Sequence, residues 1–155
     1  MRILTLSAFF AFAIDQLSKL LVVHVMDLKT VLRIDVLPPL LNFRMGWNTG
    51  INFGLLSSSP DIMRYVLIGL AVVISAWLVW WSRRTLSRRI TLTGAGLIIG
   101  GALANALDRV IYGAVADFLN MSCCGITNPY TFNLADVAIF AGAFVLVAFD
   151  DTKIA

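Results

Sequence analysis

Four long apolar runs dominate this chain and set what it can fold into. They cover residues 3–25, 62–81, 90–107 and 134–149. A bilayer core about 30 Å thick takes about 20 helical residues to cross. The runs therefore predict an all-α membrane protein: four transmembrane helices in a single domain over residues 1–155. The third and fourth runs are short for a bilayer, which predicts local thinning or close helix packing. Hydrophobic residues make up 59% of the chain and charged residues 14%, with a mean hydropathy of +0.87. Soluble domains are roughly half apolar and about a quarter charged. An ordinary soluble globule is excluded, and so is a disordered chain.

Arginines predict the orientation. The turn Arg83-Arg84-Thr85-Leu86-Ser87-Arg88-Arg89 carries four positive charges and no acid. Short loops of this kind stay in the cytoplasm. Both termini are then cytoplasmic, and residues 26–61 and 108–133 face outward. Trp77, Trp80 and Trp81 predict an aromatic belt at the cytoplasmic end of the second span. The net charge of +3 reads as a mark of this orientation, with no nucleic acid as partner. Arg2 and the apolar run after it resemble a secretory leader. No small-residue cleavage site follows, so an uncleaved anchor is expected.

The first outer stretch has its own pattern. Residues 31–37 and 42–53 alternate polar and apolar side chains, with Pro38-Pro39 between them. That predicts a small extracytoplasmic β-hairpin or sheet. Ser59-Pro60-Asp61 reads as the opening of the second span. In the third run, Gly96, Gly100 and Ala104 form a small-residue stripe suited to close helix approach. Gly101, Asn105 and Arg109 share a neighbouring face, and Asp108 ends the row.

The titratable residues narrow the chemistry. Cys123 and Cys124 are adjacent, neither a disulfide framework nor a metal-binding spacing, and read as loop residues. His24 is the sole histidine, which excludes a multi-histidine metal site. No metal and no cofactor is expected. All nine acids are aspartates. Asp15 and Lys19 are spaced i,i+4, the favourable order for a helical ion pair. Asp136 follows Asn133 by three residues, as a capping carboxylate would. Asp117 sits between Ala116 and Phe118 in the second outer loop, where it reads alone as a loop acid. Taken together, two carboxylates at one membrane boundary can share a proton and activate a water, as an aspartic protease requires. No GxSxG is present, and no serine or cysteine nucleophile is placed to use His24. The stretch Asn48-Thr49-Gly50-Ile51-Asn52-Phe53-Gly54 reads as a turn or as a polar clamp on an extended peptide. A small ion carrier built around Asp15 and Lys19 is the rival class. The clustering of carboxylates at one face and the lack of a two-half repeat argue against it.

Five motifs in order resemble the lipoprotein signal peptidase (signal peptidase II) family. They are Asp15-Gln-Leu-Ser-Lys19, Asn48-Thr-Gly50-x-x-Phe53-Gly54, Gly100-Gly-Ala-Leu-Ala-Asn105-Ala-Leu-Asp108-Arg109, Val115-Ala-Asp117-Phe118 and Phe132-Asn133-Leu-Ala-Asp136. The resemblance implies an aspartic endopeptidase of the bacterial inner membrane. Its substrates would be prolipoproteins with a diacylglyceryl cysteine, cut just before that cysteine, with membrane lipids as further partners. Asp117 and Asp136 fall on the family's catalytic pair. Asp15, Lys19, Asn48, Gly50, Phe53, Asn105, Asp108, Arg109 and Asn133 fall on its substrate-binding or dyad-supporting positions. Two departures stand out: Ile51-Asn52 replaces a usual pair of alanines, and Ala104 replaces a usual glycine. Arg109 is expected to pair with Asp108 or a peptide carbonyl rather than with the dyad.

Overall fold

The computed structural model describes residues 1–50 and 60–149. Helix α1 (Arg2–Lys19) runs into a π-helical segment, Leu20–Val25, and a short α2 (Leu28–Val31) follows. Strands β1 (Arg33–Leu37) and β2 (Leu41–Asn48) come next, then α3 (Pro60–Thr85), α4 (Arg89–Tyr112), β3 (Val115–Asn120) and α5 (Leu134–Ala148). Among the described residues, three helices are long and apolar enough to cross a membrane: Arg2–Val25, Asp61–Thr85 and Arg89–Tyr112.

The expected fourth span, residues 134–149, forms a shorter apolar helix. Helix α5 has 15 residues, about 22 Å at 1.5 Å per residue. That is short for a bilayer core, as its run predicted; among the described residues there are three span-length helices and this shorter apolar one. The third span differs in the other direction. It does not stop at residue 107 but continues to Tyr112, where Gly113 at φ +82° ends it. Asp108 stays helical because a buried lysine from α1 neutralises it. Helix α3 opens at Pro60 with Asp61 in its first turn, as expected; Ser59 lies outside the described residues.

Helix α4 is the centre of the bundle, and its glycines explain why. A Cβ on Gly96 would run into Ser7 and the Leu4 carbonyl, and one on Gly100 into the Ala8 carbonyl, all on α1. On another face, a Cβ on Gly101 would press on the Ala135 carbonyl of α5, and Gly142 of α5 meets the Gly94 carbonyl. Removing side chains lets backbones approach, which drives helix association where the surrounding lipid is equally apolar. Leu78 of α3 joins Leu4, Leu92, Ala95 and Ile99 in a buried cluster. The rest of α3 exposes Tyr65, Val66, Leu70, Val72 and Val73, a surface suited to lipid. At its far end Trp77 stacks on Trp81, and the Arg84 guanidinium lies 4.7 Å from the Trp80 ring centre.

The sheet is antiparallel, in the order β1-β2-β3. The expected hairpin is β1–β2. The third strand was not expected, because residues 115–119 read as loop. Five of its six side chains are buried, so it shows no polar–apolar alternation. Gly46 pairs with Asp117, and Asn48 with Val115. Ala116 and Phe118 pack on Val22, Val23 and Leu28. By strand alternation Asp117 then faces the opposite side.

Candidate active site

Asn133 organises the site. As N-cap of α5 its Oδ1 accepts from the Asp136 N–H at 2.8 Å, while Asp136 Oδ2 accepts from the Asn133 N–H at 3.3 Å. This reciprocal capping box fixes the amide. Its Nδ2 then donates to Asp117 Oδ1 at 2.5 Å and to Asn105 Oδ1 at 3.2 Å. Asn105 in turn donates from Nδ2 to Asp136 Oδ1 at 2.9 Å. From β2, Asn48 Nδ2 donates to Asp117 Oδ2 at 3.1 Å. The Asn48 Oδ1 accepts from the Gly50 N–H at 3.0 Å, and Gly50 sits at φ +113°, a conformation suited to glycine. Asp117 and Asp136 are thus tied to one asparagine, and each has both carboxylate oxygens hydrogen bonded.

Asp117 is 3% exposed and Asn133 fully buried. Burial pushes the Asp117 carboxyl up to about 6, and repulsion from Asp136 adds to the rise; the amide bonds from Asn48 and Asn133 act in the opposite direction. A cavity of about 270 Å³ opens beside Asp117, walled by Trp47, Asn48, Tyr130 and Thr131. Gly46 leaves room there, since a Cβ at this position would strike the Thr131 hydroxyl.

Below the pair lies a second cluster. Lys19 Nζ is 2.7 Å from Asp15 Oδ2, 2.7 Å from Asp108 Oδ2 and 3.4 Å from Asn105 Oδ1. Each partner reaches the dyad's supports. Asp15 Oδ1 accepts from the Ala135 N–H at 2.8 Å in the first turn of α5. Asp108 Oδ2 accepts from the Ala116 N–H at 3.1 Å, next to Asp117. Asn105 holds Asp136 directly. Lys19 therefore braces both elements that carry the dyad.

Most of the expected residues converge here. Asp15, Lys19, Asn48, Gly50, Asn105, Asp108, Asn133, Asp117 and Asp136 belong to one connected network. Arg109 is adjacent: its Nη1 donates to the Asn105 carbonyl at 3.2 Å, and its Nε is buried without a partner. The expected carbonyl bond is present, while Asp108 pairs with Lys19 instead. Phe53 lies outside the described residues, as do Ile51 and Asn52. Two participants escaped the sequence reading. Gln16 donates to Asp108 Oδ1 at 2.9 Å; its position beside Asp15 in an apolar run was the available signal. Gly46 had none. His24 lies apart, 3.1 Å from the Tyr112 hydroxyl.

Comparisons with known proteins place the chain in a family. Residues 7–150 match the family described as Signal peptidase (SPase) II. A lipoprotein signal peptidase of Methylocella silvestris is 42% identical over 135 residues, 87% of this chain and 77% of the relative. One from Rhodopseudomonas palustris is 38% identical over 150 residues, covering 94% of this chain and 90% of the relative. A bacterial membrane enzyme solved by the in meso method at 1.9 Å superposes with a TM-score of 0.78 and 26% identity, over 93% of this chain and 89% of the other. On the match across nearly its whole length, the chain belongs to the signal peptidase II family.

Proposed function

We propose that this chain is an aspartic endopeptidase of the bacterial inner membrane. It removes signal peptides from diacylglyceryl-modified prolipoproteins and cuts just before the lipidated cysteine. The observation that carries the reading is the tie of Asp117 and Asp136 to Asn133 on both sides, beside a cavity. Membership of the signal peptidase II family supports the substrate class.

In the proposed reaction Asp117 holds the proton, in keeping with its raised pKa. Asp136, at a helix N-terminus where negative charge is favoured, is the ionised partner. A water between them loses a proton to Asp136 as its oxygen attacks the scissile carbonyl carbon. Asp117 protonates the carbonyl oxygen. Collapse of the tetrahedral intermediate breaks the C–N bond. The proton on Asp136 passes to the leaving nitrogen, and Asp117 regains its own from the diol. The pair ends as it began.

In this reading both termini are cytoplasmic and the dyad lies at the outer face, which the arginine-rich turn of residues 83–89 supports. There the acyl chains of the substrate remain among membrane lipids while the peptide bond reaches the carboxylates. The test is cleavage of a diacylglyceryl prolipoprotein by Asp117→Asn and Asp136→Asn. Each should fall by roughly 10³-fold or more, since acid–base groups contribute about 10²–10⁴ each. Turnover retained by either variant overturns the dyad. Equal cleavage of substrate lacking the lipid overturns the lipid requirement.

A further inference from the structure

Cys123 and Cys124 take no part in the site described above, yet they are not randomly placed. Their sulfurs stand 2.8 Å apart, and both residues are exposed. The turn that presents them is closed by the Ile126 N–H donating to the Cys123 carbonyl at 2.9 Å. Cys124 sits at φ +59° and Gly125 at φ +81°. A left-handed conformation is costly for a residue with a side chain, and here it brings the two thiols together. The neck below is tied. Asn120, the last residue of β3, donates from Nδ2 to the carbonyls of Asn128 and Tyr130 at 2.9 and 2.7 Å. Ser122 Oγ accepts from the Asn128 N–H at 3.1 Å. The dithiol thus sits at the tip of the segment joining the strand of Asp117 to the cap of α5.

We propose that Cys123 and Cys124 are an oxidation site that closes to a vicinal disulfide. The inference rests on the outward orientation given above, which exposes the turn to an oxidising compartment. The oxidant is a disulfide-donating thiol oxidant. One cysteine thiolate attacks a sulfur of its disulfide, forms a mixed disulfide and releases the first oxidant thiol. The neighbouring thiolate attacks the cysteine sulfur of that bond, forms the Cys123–Cys124 bond and releases the second thiol. Two electrons go to the oxidant, and the two protons end on its thiols. Disulfides usually join Cα atoms about 4.4–6.8 Å apart, whereas neighbouring Cα atoms are about 3.8 Å apart. The closed ring is therefore tight and, being exposed, belongs to the easily reduced class. It is a reversible staple, set on the one segment that connects the two dyad-bearing elements.

The experiment counts thiols in the full-length protein. Cells are quenched with a maleimide, the protein is extracted in detergent, and its intact mass is measured before and after reduction. The expected result is no maleimide on the wild type, a mass lighter by two hydrogens, and two maleimides when reduction precedes labelling. Cys123→Ser and Cys124→Ser, each left with one exposed thiol, should give mixed disulfides or cross-linked dimers that the double variant lacks. A second arm takes reduced protein in micelles and adds oxidised glutathione. Failure to close there overturns the proposal. Closure in micelles with both thiols free in cells upholds the pair chemistry and overturns the outward orientation. The double variant should cleave prolipoprotein at the wild-type rate, so a failed cleavage assay for the wild type strikes the proposed function and not the disulfide.

Discussion

At the scale of single residues, Asp117 and Lys19 carry the sharpest consequences. The Asp117 carboxyl titrates at about 6, above its ordinary range, so its proton is present below that pH and lost above it. If Asp117 supplies the acid, kcat/KM should fall about tenfold per pH unit on the alkaline side of pH 6. A pH–rate profile on lipidated substrate checks this; a flat profile between pH 6 and 8 would assign the proton elsewhere. Lys19 is buried between two carboxylates. Lys19→Met removes their shared cation and should cost about 3–5 kcal/mol, the usual loss when a buried ion pair is left half-formed. Thermal unfolding in detergent reads the loss, and Lys19→Arg, whose planar fork does not match a point charge, should recover little of it. Sequence showed the local half of this network. Asp15 with Lys19, and Asn133 with Asp136, are one helical turn apart and visible as spacing. Asp108 on Lys19 and Asn133 on Asp117 are joined by the fold alone, and no spacing reports them.

At the scale of elements, α4 decides where the dyad sits. Its Gly101 lies against the Ala135 carbonyl, one residue before Asp136. Gly101→Val should push α5 outward, lengthen the Asn105–Asp136 contact and abolish most cleavage, with a stability loss of about 1–3 kcal/mol from overpacking. Gly69 of α3 has open space around it, so Gly69→Ala should leave cleavage and melting almost unchanged. Parallel melts and rate measurements on the two variants separate a seam from a spacer. The small-residue stripe was readable because helical spacing puts it on one face. The strand β3 was not, because burial on both sides erases the alternation that marks a strand. The end of α4 was misplaced for a related reason: Asp108 and Arg109 look like the close of an apolar run until a cation from another helix is known to receive the aspartate.

At the scale of the whole molecule, the question is how many times the chain crosses. Helix α5 is short, and the proposed orientation needs it to reach the cytoplasmic side. A fluorescent protein fused to the C-terminus should glow, and an alkaline phosphatase fused there should stay inactive. The reverse pattern would mean that α5 does not cross. The i,i+4 pairing of Asp15 with Lys19 also has a consequence in time. During synthesis α1 enters the bilayer long before α4 exists. Its lysine arrives with its own counter-ion, already paired and in place. When α4 follows, its acid finds that lysine, and the last helix docks against the carboxylate that α1 has kept ready since the first turns were made.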